Sequence, residues 1–294
     1  MDKPTLTTLP SLSDPHSPKH PIRAIFFDLN GTLFTSSNNE QAWNGWFSAL
    51  FESFLLHGLH LSRAEFSAMC DGFFNPSFAF TPSPLNSTTK YEARLEHLAI
   101  KCNLTIPNSQ FSQIAGKTIE AWGEYMYLDP EAQCLLQRLQ SSYILGLITN
   151  FDHPPYIYEL LHVSQLDRYF KVIVISGEIG IDKPDPAIFH HAFRETNLLT
   201  ENLNLLPEET LYIGDSPTHD VQGALNAGMI PILLSRNTSE DPSSIYDYYH
   251  DSHKETTLPQ SFKETSRTQT CQIIHNLSEL GGILTLPSKY GKER

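Results

Sequence analysis

Two carboxylates, Asp28 in IRAIFFDLNGTLF and Asp215 in LYIGDSPTHD, sit where a short apolar run gives way to small and polar residues. Ile22 to Phe27 is rich in branched and aromatic side chains, the composition of a strand buried on both faces, which puts Asp28 at its carboxyl end. Behind it, Asn30, Gly31 and Thr32 supply turn chemistry, a glycine free to take positive φ and a hydroxyl to tie the loop. Leu211 to Ile213 repeats the pattern ahead of Gly214, Asp215 and Asp220. Ligands of open parallel α/β sheets bind outside the carboxyl ends of the strands, so these acids are expected to point into one crevice and form one catalytic centre.

The elements that must hold them follow from the periodicity. Residues 1–20 are polar and proline-rich with little to bury, and read as a disordered tail. From Glu40 the text is helical: Trp43, Trp46, Phe47, Leu50, Phe51, Phe54 and Leu55 recur at steps of three and four, and Arg94 to Ala99 and Phe111 to Trp122 continue in that style. The stretch NPSFAFTPSPLNST between them is a loop. Because its spacing is the ordinary helical one, the stripe of Trp43, Trp46 and Phe47 reads as helical core rather than a sugar-stacking surface. From Asp129 strands and helices alternate, with strands expected at Ile144–Ile148, Val172–Ile175, Leu211–Ile213 and Ile230–Leu234, which means a parallel sheet covered on both faces. The polar stretch 236–270, with Tyr246, Tyr248, Tyr249, His250 and His253, reads as a loosely attached solvated insertion, and CQIIHNLSELGGIL returns to a helical pattern that closes the core.

These motifs resemble the haloacid dehalogenase superfamily, whose phosphatases carry Asp-x-Asp-Gly-Thr after the first strand; here the text is Asp28-Leu29-Asn30-Gly31-Thr32. The family's strand-end Ser or Thr is matched by Thr149 in YILGLITN, its Lys by Lys183 in GIDKPDPAIF, and its final acidic motif by Gly214, Asp215 and Asp220, all in the family's order. Within the superfamily, DKPDPAIF and GDSPTHDVQGALNAGM most resemble the branch of N-acylneuraminate-9-phosphatase. The fold implied is α/β: a Rossmann-like parallel sheet from 21–35 and 129–294, with a helical cap inserted over 36–128.

The resemblance also implies the roles. Asp28 would attack phosphorus to form an aspartyl-phosphate, a case of carboxylate nucleophilic catalysis. Mg²⁺ would be held by Asp28, the carbonyl of Asn30 and Asp215, with Asp220 as a further acid that orients Lys183 or a metal-bound water. Thr149 would donate to a phosphoryl oxygen with Asn150 beside it, and Lys183 would balance the charge of nucleophile and phosphate. The substrate implied is a small phosphorylated metabolite, possible sugar phosphates included.

Asn30 departs from the family, where an Asp serves as general acid and base. An amide holds a hydrogen bond but exchanges no proton, and such help is worth about 10² to 10⁴ in rate. Three readings follow: a phosphatase that is slowed or uses another acid, His153 and His219 being candidates; a weakened relative that works by binding; and a dehalogenase. The last is least favoured, because Asp215 and Asp220 keep a metal-site pattern that halide displacement does not use. The Asn30-Gly31 dipeptide also allows slow deamidation that would place a carboxylate at residue 30.

A net charge of −13 over 294 residues with no Lys/Arg cluster argues against nucleic-acid and anionic-membrane partners, so an anionic substrate must be met by local charges. Cys70, Cys102, Cys134 and Cys271 are widely spaced with no CxxC pair, and no apolar signal core precedes the first strand; a reduced, cytoplasmic protein is expected. Nothing in the sequence indicates an oligomeric state.

Overall fold

The computed structural model describes residues 21–75, 89–200, 204–236 and 271–284. Its strands are β1 (Ala24–Phe27), β2 (Phe34–Ser36), β3 (Met126–Leu128), β4 (Ile144–Thr149), β5 (Val172–Ile175), β6 (Thr210–Gly214), β7 (Ile230–Leu234) and β8 (Gln272–Ile274). Six of them form one parallel sheet in the order β5-β4-β1-β6-β7-β8, while β2 and β3 pair antiparallel. The chain therefore starts in the middle of the sheet, builds one half through β4 and β5, and returns to build the other through β6, β7 and β8. The carboxyl end of β1 lies at the point where the two halves diverge, the place such sheets use for ligands.

Between β2 and β3 the chain forms a helical insert of α1 (Asn39–Leu56), α2 (Arg63–Met69), α3 (Lys90–Lys101) and α4 (Asn108–Gly123). Asn38 starts α1 by accepting the Gln41 amide on its side chain, and Thr89 starts α3 in the same way through Glu92. The stripe of α1 buries Trp46, Phe47, Leu50 and Phe54 against Phe111, Ile114, Ala115 and Ile119 of α4, giving the insert its own apolar cluster. Each such large side chain contributes about 1.5–3 kcal/mol when fully buried. The helical core expected of Trp46 and Phe47 is observed; Trp43 is half-buried at its edge.

The remaining helices, α5 (Ala132–Leu139), α6 (Pro154–Val163), α7 (Ser176–Ile179), α8 (Pro186–Leu199) and α9 (Gly223–Asn226), follow the sheet strands in turn. Strand alternation explains the layers: Ile25 and Phe27 pack with Leu135, Leu136, Ile157 and Leu161 on one face, and Ala24 and Phe26 with Ile188, Phe189, Ala192 and Ala224 on the other. Helices thus cover both faces, as expected of an α/β sheet.

Two expectations need correction. The segment 271–284 does not begin as a helix: Gln272–Ile274 adds β8 in parallel to β7, and the helical part is a 3-10 turn, Leu277–Glu279, running into a short α-helix, Leu280–Ile283. Its apolar run is too short for periodicity to separate strand from helix. The β2–β3 pair was not anticipated either; its register, Phe34↔Leu128 to Ser36↔Met126, joins the two ends of the insert across the proposed boundaries at residues 36 and 128. The tail over 1–20, the loop from 76 to 88 and the polar stretch from 237 to 270 lie outside the described residues. Among those described, no helix is long and apolar enough to cross a membrane.

Candidate active site

Asp28 leaves β1 with its amide still donating to Ile213 O at 2.9 Å, so the ladder between the two central strands runs up to the acid itself. The chain then turns back tightly: Leu33 and Phe34 both donate to Leu29 O at 2.8 Å, and Gly31 donates to Phe34 O at 2.6 Å. Gly31 takes φ +85°, and a Cβ there would collide with the Asp215 carboxylate. Asp215 follows β6 directly. Gly214 serves the next acid similarly, since a Cβ at 214 would collide with Asp220. Asp220 is carried by a π-helical turn, Pro217–Gln222, and its Oδ2 accepts the Ser216 amide at 2.9 Å.

Lys183 comes from the loop between α7 and α8. The Asn150 side chain positions it, accepting the Lys183 amide at 2.8 Å and donating to the Lys183 carbonyl at 3.0 Å. Asn150, expected beside the substrate, lines the cavity while its amide group is engaged with this backbone. The Lys183 ammonium donates to Asp28 Oδ1 and to Asp220 Oδ1, both at 2.6 Å, and to the Tyr212 hydroxyl at 3.0 Å. The single Tyr212 O–H has two acceptors in reach, Ile148 O at 3.0 Å and Asp220 Oδ1 at 3.2 Å. Thr149, 1 % exposed at the end of β4, completes the rim.

This cluster is out of water, and its ionisation reflects that. Burial pushes Asp28 up to about 6; the Lys183 ammonium pulls against this and the Asp220 charge adds to it. Burial disfavours the Lys183 charge, but Asp220 and Asp28 outweigh it and hold the ammonium well above its usual range. Burial also raises the Tyr212 phenol well above the ordinary value. Asp28, Asp215 and Asp220 each offer an oxygen within 4.8 Å of the others, an all-oxygen set of the kind a hard divalent cation takes. Asp220 already accepts from Lys183, Tyr212 and Ser216, which makes it the anchor of the lysine more than a free ligand.

Above the acids a cavity is lined jointly by the strand ends and the insert, with Trp43, Trp46, Tyr91 and Trp122 contributed by the insert and Phe151 and His153 by the loop after β4. Asn30 and His219 line it as well. Asn30 Oδ1 is buried without a hydrogen-bond partner. The nitrogen that Asn30 deamidation would need, that of Gly31, is held by Phe34 O.

A set of ion pairs closes the seam, and sequence reasoning missed it. Lys90 of α3 reaches Asp152 at 3.0 Å and Asp182 at 2.9 Å, and Arg94 reaches Asp152 at 2.7 Å and the carbonyls of Phe73 and Asn75. Arg236, just past β7, donates to the carbonyls of Gly31 and Thr32 and to Asp129 at 2.7 Å, bracing the turn after Asp28 from behind. The partners lie dozens of residues apart, and no local spacing announces them.

The family model for haloacid dehalogenase-like hydrolases matches residues 22–228, a span that contains each of these acids, the lysine and the whole insert. The chain belongs to the haloacid dehalogenase-like hydrolases. Among curated hydrolases of this kind, N-acylneuraminate-9-phosphatase of Rattus norvegicus is 26% identical over 212 residues, 71% of this chain and 80% of that protein. Two solved members share the fold: a haloacid dehalogenase-like phosphatase from Thermococcus onnurineus (TM-score 0.56, 19% identity, 90% of this chain and 98% of that one) and a 2-haloacid dehalogenase from Pseudomonas syringae pv. Tomato DC3000 (TM-score 0.54, 24% identity, 89% and 97%). Since one is a phosphatase and the other a dehalogenase, the choice of chemistry within the haloacid dehalogenase-like fold rests on the site.

Proposed function

We propose that the chain is a phosphomonoesterase for a small phosphorylated metabolite, with Asp28 as nucleophile. The observation that carries this is the buried Lys183 ammonium shared at 2.6 Å by Asp28 and Asp220, with Asp215 completing a three-acid set at the same strand ends. Attack by an Asp28 oxygen on phosphorus forms an aspartyl-phosphate and breaks the bond to the leaving alkoxide. Lys183 and Thr149 line the same cavity and would meet the phosphoryl oxygens, supplying a positive charge and a hydroxyl donor. Water then cleaves the acyl phosphate and restores Asp28. The carboxylate set fits Mg²⁺, which Asp28, Asp215 and the Asn30 carbonyl would hold; when bound it supplies neutralisation of phosphate charge.

The proton for the leaving group is what this site lacks at the family's usual position. Asn30 cannot give one, whereas His153 and His219 both line the cavity. Burial lowers the His153 pKa, with Glu92 opposing, which favours a neutral ring. Asn30 also favours a second reading, a site that binds a phosphorylated ligand with little turnover.

Phosphate release in Mg²⁺ from a panel of phosphomonoesters separates the two. A working enzyme turns over as wild type, gains about 10² in Asn30→Asp, and loses activity in Asp28→Ala. Turnover confined to Asn30→Asp would instead identify a binding protein.

A further inference from the structure

We infer that the preferred ligand of this site is a phosphomonoester whose alcohol carries a flat, uncharged aromatic ring and no second anionic group. This rests on the phosphatase reading for its phosphate half; the ring half comes from the walls.

Beyond the acids, the wall is aromatic. Trp43, Trp46, Phe74, Tyr91, Trp122 and Phe151 all line the cavity, and of these Trp43, Phe74, Trp122 and Phe151 are only half-buried despite their size. Ring contacts hold them in place: Trp43 stacks on Trp46 at 4.4 Å and 21°, Trp46 meets Phe74 at 5.3 Å, and Trp122 meets Phe151 at 6.0 Å. Rings already fixed by one another lose little freedom when a further ring is added, so stacking energy goes into binding. An aliphatic ring of equal size would gain burial but not the face-to-edge electrostatics.

Charge gives the second half. Among the described residues, Lys183 is the only Lys or Arg that lines the cavity, and Asp28 and Asp220 already share it. The cations nearby are matched: Lys90 by Asp152 and Asp182, Arg94 by Asp152, Arg236 by Asp129. Among the described residues, a second carboxylate or phosphate on the ligand would enter this wall with no further Lys or Arg to meet it, on a protein of net charge −13.

Benzyl phosphate, cyclohexylmethyl phosphate and 4-carboxybenzyl phosphate separate these effects, because all three leave as primary alkoxides. With Mg²⁺ present, kcat/KM for benzyl phosphate should exceed that for cyclohexylmethyl phosphate by about tenfold and that for 4-carboxybenzyl phosphate by about a hundredfold. Equal values across the three would overturn the inference and leave the phosphatase reading standing. The matching phosphonates, titrated against tryptophan fluorescence, give the reverse control. If no ester turns over but the phosphonates bind in the same order, the inference holds and the phosphatase reading fails; equal or absent phosphonate binding overturns the inference. In Trp43→Leu the benzyl-to-cyclohexylmethyl ratio should fall toward unity, and an unchanged ratio would remove the aromatic half of the argument.

Discussion

Gly31 shows how little freedom the catalytic turn has. Its φ of +85° and the Asp215 carboxylate, which occupies the place a Cβ would take, exclude any side chain. Gly31→Ala should cost about 1–2 kcal/mol from backbone strain alone, measured by urea denaturation, and should lower activity further by displacing Asp215. Asp28 gives a pH prediction. Its pKa is raised by burial to about 6, so as pH falls through 6 a proton occupies the oxygen a cation needs. Mn²⁺ binding, followed by electron paramagnetic resonance, should therefore weaken by about tenfold between pH 7 and pH 5; affinity independent of pH would mean that Asp28 stays ionised. At this scale the structure gathers Asp28, Thr149, Lys183, Asp215 and Asp220 at one set of strand ends; Asp28 and Asp215 stand out after apolar runs, whereas Thr149 and Lys183 alone read as a strand-end threonine and a surface lysine and were singled out only through the family resemblance. Tyr212 was not: in LYIGD it looks like another strand residue, and only the fold turns its hydroxyl toward Lys183.

The elements that could be read were those with room for a period. α1 and α4 repeat their apolar positions over several turns, and β5 and β7 are compact branched runs, so their limits were close to those observed. β2, β3 and β8 have three residues each, too few for alternation to register. The seam between insert and core was equally hidden, since Arg94 and Asp152 are 58 residues apart. Their pair is buried, Arg94 at 3% exposure and Asp152 at 4%, so removing one partner strands a charge. Arg94→Met should destabilise the protein by about 2–4 kcal/mol in urea denaturation, with Lys90 limiting the loss. A change below about 0.5 kcal/mol would show that Lys90 alone compensates Asp152.

Taken whole, the molecule is acidic, while the cavity holds a buried lysine. A net charge of −13 repels a phosphomonoester dianion at long range, and Lys183 would attract it close in. Salt should therefore assist encounter: at fixed free Mg²⁺, kcat/KM for a phosphomonoester should rise, by about twofold or more, as NaCl increases from about 10 to 200 mM. A fall over that range would place a positive surface near the entrance. The fold itself was readable at this scale from the alternation of strands and helices after Asp129, whereas strand order depended on which edges β6 and β4 took beside β1, a matter of packing and not of local sequence.

Lys90 has a meaning for alignment as well as for cohesion. It is carried by the insert, yet its two partners sit in the loops that deliver Thr149 and Lys183, Asp152 three residues past the one and Asp182 immediately before the other. One ammonium group therefore fixes both loops to the insert at once, so the spacing between Thr149 and Lys183 is set in part by an element outside the sheet.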